Sequence, residues 1–181
     1  MLNTSLRPEV DGGQPMSGVR PIAASRRLFC RPAQVFDLLD RPGHLELFHP
    51  FCRSNSAISW SGSARLDVLS YLNGLTYVRD FVAWRHSVGF DLLIGEAGQP
   101  QSFVGWRLKP AGEASSELSI TVYPHLVHGL SPLVGYPIHM LWLKPRLQQY
   151  LTAVLSGLQC HLLTRTTVSA NAFGSHPWFS E

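Results

Sequence analysis

The order of elements constrains this chain most: a short strand–helix unit, a long run of strands, then one amphipathic helix near the C-terminus. The opening unit reads from about Ile22 to Pro50 and the closing helix from about Lys144 to Leu163. Between them, residues 52–124 alternate like strands and turn at Gly, Pro and Asn. A lone long helix buries its apolar stripe by lying across a curved antiparallel sheet. The space between the two then often becomes a pocket, so small-molecule binding is the first expectation.

The chain has 181 residues, which favours one domain with short extensions. Its hydrophobic fraction of 45% and charged fraction of 15% support a substantial core and exclude a disordered chain. No run reaches the roughly 18 apolar residues of a membrane-spanning helix, and residues 1–14 lack the pattern of a signal peptide. Cys30, Cys52 and Cys160 are too scattered for a disulfide framework and read as reduced thiols, which points to the cytoplasm. The net charge is +3, but the arginines are dispersed and only Arg26-Arg27 are adjacent. Nucleic acid is therefore not an expected partner.

Residues 1–20 carry Gly12-Gly13, Pro8 and Pro15 without periodicity and read as a flexible arm. Ile22 to Cys30 reads as a strand, and Pro32 opens a helix that carries Val35, Phe36, Leu38 and Leu39 on one side. His44 to Phe48 forms a second short turn of helix. Strands follow at Ala57–Trp60, Leu66–Leu72, Tyr77–Trp84, Val88–Ile94, Phe103–Leu108 and Leu118–Tyr123. Asn73-Gly74 marks a tight hairpin, because both residues tolerate positive φ. Short connections favour an antiparallel meander.

Residues 124–141 are apolar but interrupted by Pro124, Gly129, Pro132, Gly135 and Pro137, so no regular element is expected to run through them. A lid over a pocket mouth and a packed connector fit this segment about equally. The closing helix shows Leu147, Tyr150, Leu151, Val154, Leu155, Leu158 and Leu162 at spacings of three and four. The tail 164–181 carries Phe173, Trp178 and Phe179, aromatics that dock on the chain's own surface, on a second subunit of a homodimer, or at the pocket entrance.

Several short motifs resemble the START/Bet v 1-like (SRPBCC) superfamily in its polyketide-cyclase/lipid-transport-like branch. They are Ala24-Ser25 with Leu28, the turn Arg31-Pro32-Ala33, Val35-Phe36-Asp37-Leu38-Leu39, Arg41-Pro42-Gly43-His44-Leu45 and Phe48-His49-Pro50. Leu155-Ser156-Gly157-Leu158-Gln159 is similar to the family's C-terminal helix. The resemblance covers residues 21–163 at the level of element order. It implies an α+β helix-grip fold: a curved seven-stranded antiparallel sheet around a long C-terminal helix, with two short helices after the first strand. It also implies an apolar cavity for lipids, polyketides or other hydrophobic molecules. The segment 124–141 and the aromatic tail depart from the pattern.

Motifs for other chemistry are weak. His125-x-x-His128 lacks a nearby carboxylate or thiolate, so no metal is expected, and no cofactor. Gly-x-Ser-x-Gly and phosphate-binding loops are absent. Tyr71, Tyr77, Arg79, Asp80, Trp84, Arg107 and Tyr123 lie on expected strands, and about half should face inward. The expected cavity wall is Tyr77, Trp84, Trp106, Tyr123, Tyr150, Leu151, Val154 and Leu158, with Arg79, Arg107 and His49 orienting the ligand. The alternatives are a cyclase, dehydratase or hydrolase that uses Tyr77, Arg79, Asp80 or His49 as acid–base groups, and a protein-interaction domain acting through the tail.

Overall fold

A computed structural model describes residues 19–62, 64–127 and 131–181. The arm expected over 1–20 lies outside the described residues except at its last two positions. In chain order the elements are β1 (Ile22–Leu28), α1 (Pro32–Leu39), α2 (Leu45–Phe48), β2 (Cys52–Ser61), β3 (Ala64–Tyr71), β4 (Thr76–Arg85), β5 (Gly89–Gly95), β6 (Ser102–Pro110), β7 (Ser116–Tyr123), α3 (Pro132–Pro137) and α4 (Lys144–Thr164).

The seven strands make one antiparallel sheet in the order β1-β7-β6-β5-β4-β3-β2. From β2 to β7 every strand pairs with its successor, which is the meander that the short connections favour. β1 joins the far side by pairing with β7. Register shifts at Cys52/Ser54 and Ala57/Ser59 in β2, and at Phe81/Ala83 in β4, add local bends that curl the sheet. α4 lies against the concave face and buries Leu151, Val154, Leu155, Leu158 and Leu162. This is the expected helix-grip architecture.

Two local expectations need correction, and the loop of one hairpin can be specified. β2 begins at Cys52 rather than Ala57. It is an edge strand with much of its length exposed, so Ser54-Asn55-Ser56 pairs there despite its polarity. The tight hairpin expected at Asn73-Gly74 forms between β3 and β4. Tyr71 N–H donates to Leu75 O at 2.8 Å and Gly74 N–H to Tyr71 O at 3.0 Å, so three residues, 72–74, form the loop. Only Gly74 has positive φ there, +87°, while the Asn73 side chain accepts from Leu75 N–H. Finally, 124–141 is not irregular: a 3-10 turn at His125–Val127 and α3 lead through a π-turn, Ile138–Leu143, directly into α4. Lys144 N–H bonds to His139 O, five residues back. The widened turn sits where the ladder lacks the N–H groups of Pro137 and Pro145.

The chain's last residues pack on the same domain. Val168 N–H donates to Leu47 O at 3.0 Å, Asn171 N–H to Pro50 O at 2.9 Å, and Asn73 Nδ2 to Trp178 O at 2.8 Å. Phe179 is buried and stacks on Tyr71 with ring centroids 4.2 Å apart.

Two features of the α2 region generate tests. A Cβ on Gly157 would stand 2.0 Å from the Phe48 carbonyl oxygen, so α4 crosses the end of α2 only because this residue has no side chain. Gly157→Ala should destabilise the fold by about 1–3 kcal/mol, the usual penalty for overpacking. An unchanged urea midpoint would show that the two backbones need not touch. His44 is fully buried between the rings of Phe48 and Trp60, and its Nδ1 donates to Arg41 O at 2.8 Å. Burial, and then the charge of Arg79, lower its pKa from 6.5 to about 3. Because the folded value lies below the unfolded one, the stability tied to neutral His44 is complete above pH 6.5 and is lost as pH falls towards 3. The loss by pH 5 should be about 2 kcal/mol. An NMR titration giving His44 a midpoint near its unperturbed value would refute this assignment.

Candidate functional site

Alternation along the strands decides which side chains reach the concave face. On β4 these are Tyr77, Arg79 and Phe81; on β5, Phe90, Leu92 and Ile94; on β6, Val104 and Trp106; on β7, Ile120 and Val122. This face and α4 enclose a cavity of about 410 Å³. Leu92, Val104 and Ile120 form part of its floor, and Leu147, Leu151 and Val154 of α4 its roof. Trp178 and Phe179 from the tail form part of the wall.

His49, Tyr77, Arg79, Trp106, Tyr150, Leu151 and Val154 all line the cavity, and the structure brings them together from separate parts of the chain. Trp84, Arg107, Tyr123 and Leu158 do not. Trp84 lies beyond the β4 bulge, where it stacks on Phe90 at 4.8 Å and carries Arg65 over its ring at 3.9 Å. Arg107 falls on the outward phase of β6 and pairs with Asp91 at 2.6 Å. Tyr123 is also outward, packing edge-on against its cross-strand partner Phe103 at 5.9 Å. Leu158 faces the core next to the tight Gly157 crossing, where no space remains.

One end of the cavity is polar. Arg79 makes two charge-assisted bonds to Asp67, Nε to Oδ1 at 2.7 Å and Nη2 to Oδ2 at 2.5 Å. The two side chains are 3% and 0% exposed. The pair uses two of the three guanidinium nitrogens, and Arg79 also lines the cavity. Beside it stand His49 from the loop after α2, Tyr150 from α4 and Tyr71 from β3. Phe51 N–H donates to His49 Nδ1 at 3.2 Å, which fixes that nitrogen as the acceptor and places the ring proton on Nε2. Nε2–H then donates to Tyr150 Oη at 2.8 Å, and the Tyr150 and Tyr71 hydroxyls are 3.2 Å apart.

Burial, with the charge of Arg79 second, lowers the His49 pKa from 6.5 to about 3, so the ring is neutral at pH 7. Burial likewise raises the pKa of Tyr71 and of Tyr150, so both remain phenols. Cys52 is pushed to about 12, mainly by burial, and stays a thiol. Towards the cavity His49 is therefore a donor and not a base. Asp80 stands on the opposite face of β4 from Arg79.

Among the described residues, no three His, Cys, Asp or Glu side chains converge as metal ligands would. His125 Nδ1 bonds the Ser102 hydroxyl at 3.1 Å, and His128 lies outside the described residues.

Asp67 is absent from the site expected on sequence, although a signal for it exists. Asp67 and Arg79 are equidistant from Asn73, the centre of the three-residue loop. A two-residue Asn73-Gly74 turn would instead oppose Arg79 to Val68. The turn type therefore hides the ion pair or reveals it.

No family model matches the chain, and no curated protein does. Solved structures do match. TTHA0849 from Thermus thermophilus is 16% identical, with a TM-score of 0.65 over 82% of this chain and 100% of that one. A START superfamily protein from Mycobacterium smegmatis is 9% identical, with a TM-score of 0.61 over 81% of this chain and 99% of that one. The di-domain ARO/CYC protein BexL, from the BE-7585A biosynthetic pathway, is 12% identical, with a TM-score of 0.55 over 79% of this chain and 50% of that one. At such identities the likeness is one of fold: these proteins and this chain share the helix-grip architecture.

Proposed function

We propose that the protein binds one hydrophobic small molecule in the cavity between its sheet and α4. The observation that carries this reading is the cavity itself: about 410 Å³ of space walled mainly by apolar side chains, with His49, Tyr71, Arg79 and Tyr150 grouped together and Glu96, Gln99, Ser102 and His125 elsewhere in the lining. A volume in this range matches sites that enclose drug-sized ligands. Affinity would come from apolar burial, at about 25 cal/mol per Å² removed from water. Orientation would come from the polar end. The neighbours titled as START and ARO/CYC proteins share the fold, which is consistent with such a role.

Leu151 and Val154 line the cavity from the rigid middle of α4, so an indole at either position would project into the ligand's space. Val154→Trp should retain the helical and strand signals in circular dichroism while losing at least about tenfold in affinity for the neutral fluorescent probe N-phenyl-1-naphthylamine. Undiminished probe binding by a folded Val154→Trp protein, repeated with Leu151→Trp, would rule out this cavity as the binding site.

A further inference from the structure

The polar end of the cavity has more hydrogen-bond donors than acceptors, and it has no net charge. Three donors stand in a row: His49 Nε2–H, the Tyr150 hydroxyl and the Tyr71 hydroxyl. Among the described residues they make only two bonds to one another, His49 to Tyr150 at 2.8 Å and hydroxyl to hydroxyl at 3.2 Å. The Phe51 amide occupies Nδ1, so the imidazole cannot accept from either phenol. Whichever way the tyrosines point, one hydroxyl hydrogen is left without an acceptor in the row. Accepting from His49 makes Tyr150 the better donor, so the chain polarises from His49 through Tyr150 to Tyr71. The spare hydrogen then belongs to Tyr71, which lines the cavity.

The charges are equally informative. Arg79 is the only lysine or arginine among the described lining residues, and its bidentate pairing with Asp67 neutralises it. His49 is neutral. The lining carboxylate, Glu96, is exposed. A ligand carboxylate at this end would be desolvated with no cation of its own, a heavy cost for a buried charge. A ligand with no acceptor would strand the Tyr71 hydrogen in an apolar space.

The geometry points to a neutral, carbonyl-bearing hydrophobe as the ligand class, such as an aromatic ketone or quinone, with its carbonyl oxygen accepting from the Tyr71 hydroxyl at the end of the His49–Tyr150–Tyr71 row. This rests on the cavity being a ligand site, and it specifies what distinguishes one apolar ligand from another there. Tyr71 is a binding residue; Tyr150 and His49 position its proton.

The test is a matched series measured by equilibrium dialysis at pH 7.5: 2-acetylnaphthalene, 2-ethylnaphthalene and 2-naphthoate. The ketone should bind about five- to tenfold tighter than the hydrocarbon, the worth of one net hydrogen bond. The carboxylate should bind more weakly than both. Tyr71→Phe should bring the ketone down to the hydrocarbon's affinity and leave the hydrocarbon unchanged. If the hydrocarbon binds but the ketone has no advantage, or if the carboxylate binds tightest, the carbonyl assignment is wrong while the cavity reading stands. If none of the three binds, both are wrong. Should Tyr71→Phe fail to fold, the infrared carbonyl stretch of 2-acetylnaphthalene bound to the unaltered protein decides. A frequency below that in hexane supports the bond, and a hexane-like frequency overturns it.

Discussion

The buried pairing of Arg79 with Asp67 is the constraint on which the candidate site depends. Two opposite charges, 3% and 0% exposed, stand side by side on the concave face of a sheet whose other inward positions are largely apolar. Such a pair gains little net stability over apolar residues of similar size, because desolvation offsets much of the attraction. Its larger effect is on pairing. A slip of one residue between β3 and β4 would turn one of the two charges to the opposite face and leave the other buried alone, an error of about 3–5 kcal/mol. The pair thus fixes the register that brings Tyr71 and Tyr77 to the same surface. After burial, the Arg79 charge is the next cause lowering the pKa of His44 and His49, while Asp67 acts the other way on His44.

The cavity follows from where α4 is held and where it is not. At Gly157 the helix backbone meets the Phe48 carbonyl with no side chain between them, so this part of α4 sits tightly against α2. Towards its N-terminal half the helix carries Leu147, Tyr150, Leu151 and Val154 over the deeper part of the curled sheet, and those side chains do not fill the space. The aromatic tail closes part of the gap: Phe179 packs on Tyr71 at 4.2 Å and on Tyr150 at 4.8 Å. The stack that buries the tail therefore includes the same two tyrosines whose hydroxyls form the polar row.

A shared fold does not choose a function, since folds of this kind host unrelated functions on similar frames. What separates one member from another is the chemistry of the few polar side chains on the wall. Around Tyr71 those groups are neutral or mutually neutralised: Arg79 is held by Asp67, and the His49–Tyr150–Tyr71 row is oriented by one backbone contact, Phe51 N–H on His49 Nδ1. That contact sets the imidazole tautomer, the tautomer makes His49 a donor, and the donor polarises the tyrosines in turn.

Element order, the helical spacing from Leu147 to Leu162, and the strand alternation of β3 to β7 were legible from the residues, because each is a local periodicity set by backbone geometry. They were enough for a long helix lying across a curved antiparallel sheet, which the family resemblance sharpened to the helix-grip architecture, and for placing Leu151 and Val154 on the cavity side of α4. They misled where local cues conflict with context. The prolines of 124–141 hid α3 and the π-turn, because a helix absorbs a proline by widening. Polar residues hid the first half of β2, because an edge strand tolerates them. The phase of each strand, and so the outward turn of Arg107 and Tyr123, depends on bulges and loop lengths that shift the register by a single residue. The Asp67–Arg79 pair and the His49–Tyr150–Tyr71 row join positions far apart in the chain, and such contacts exist only once the sheet has curled and α4 has crossed it.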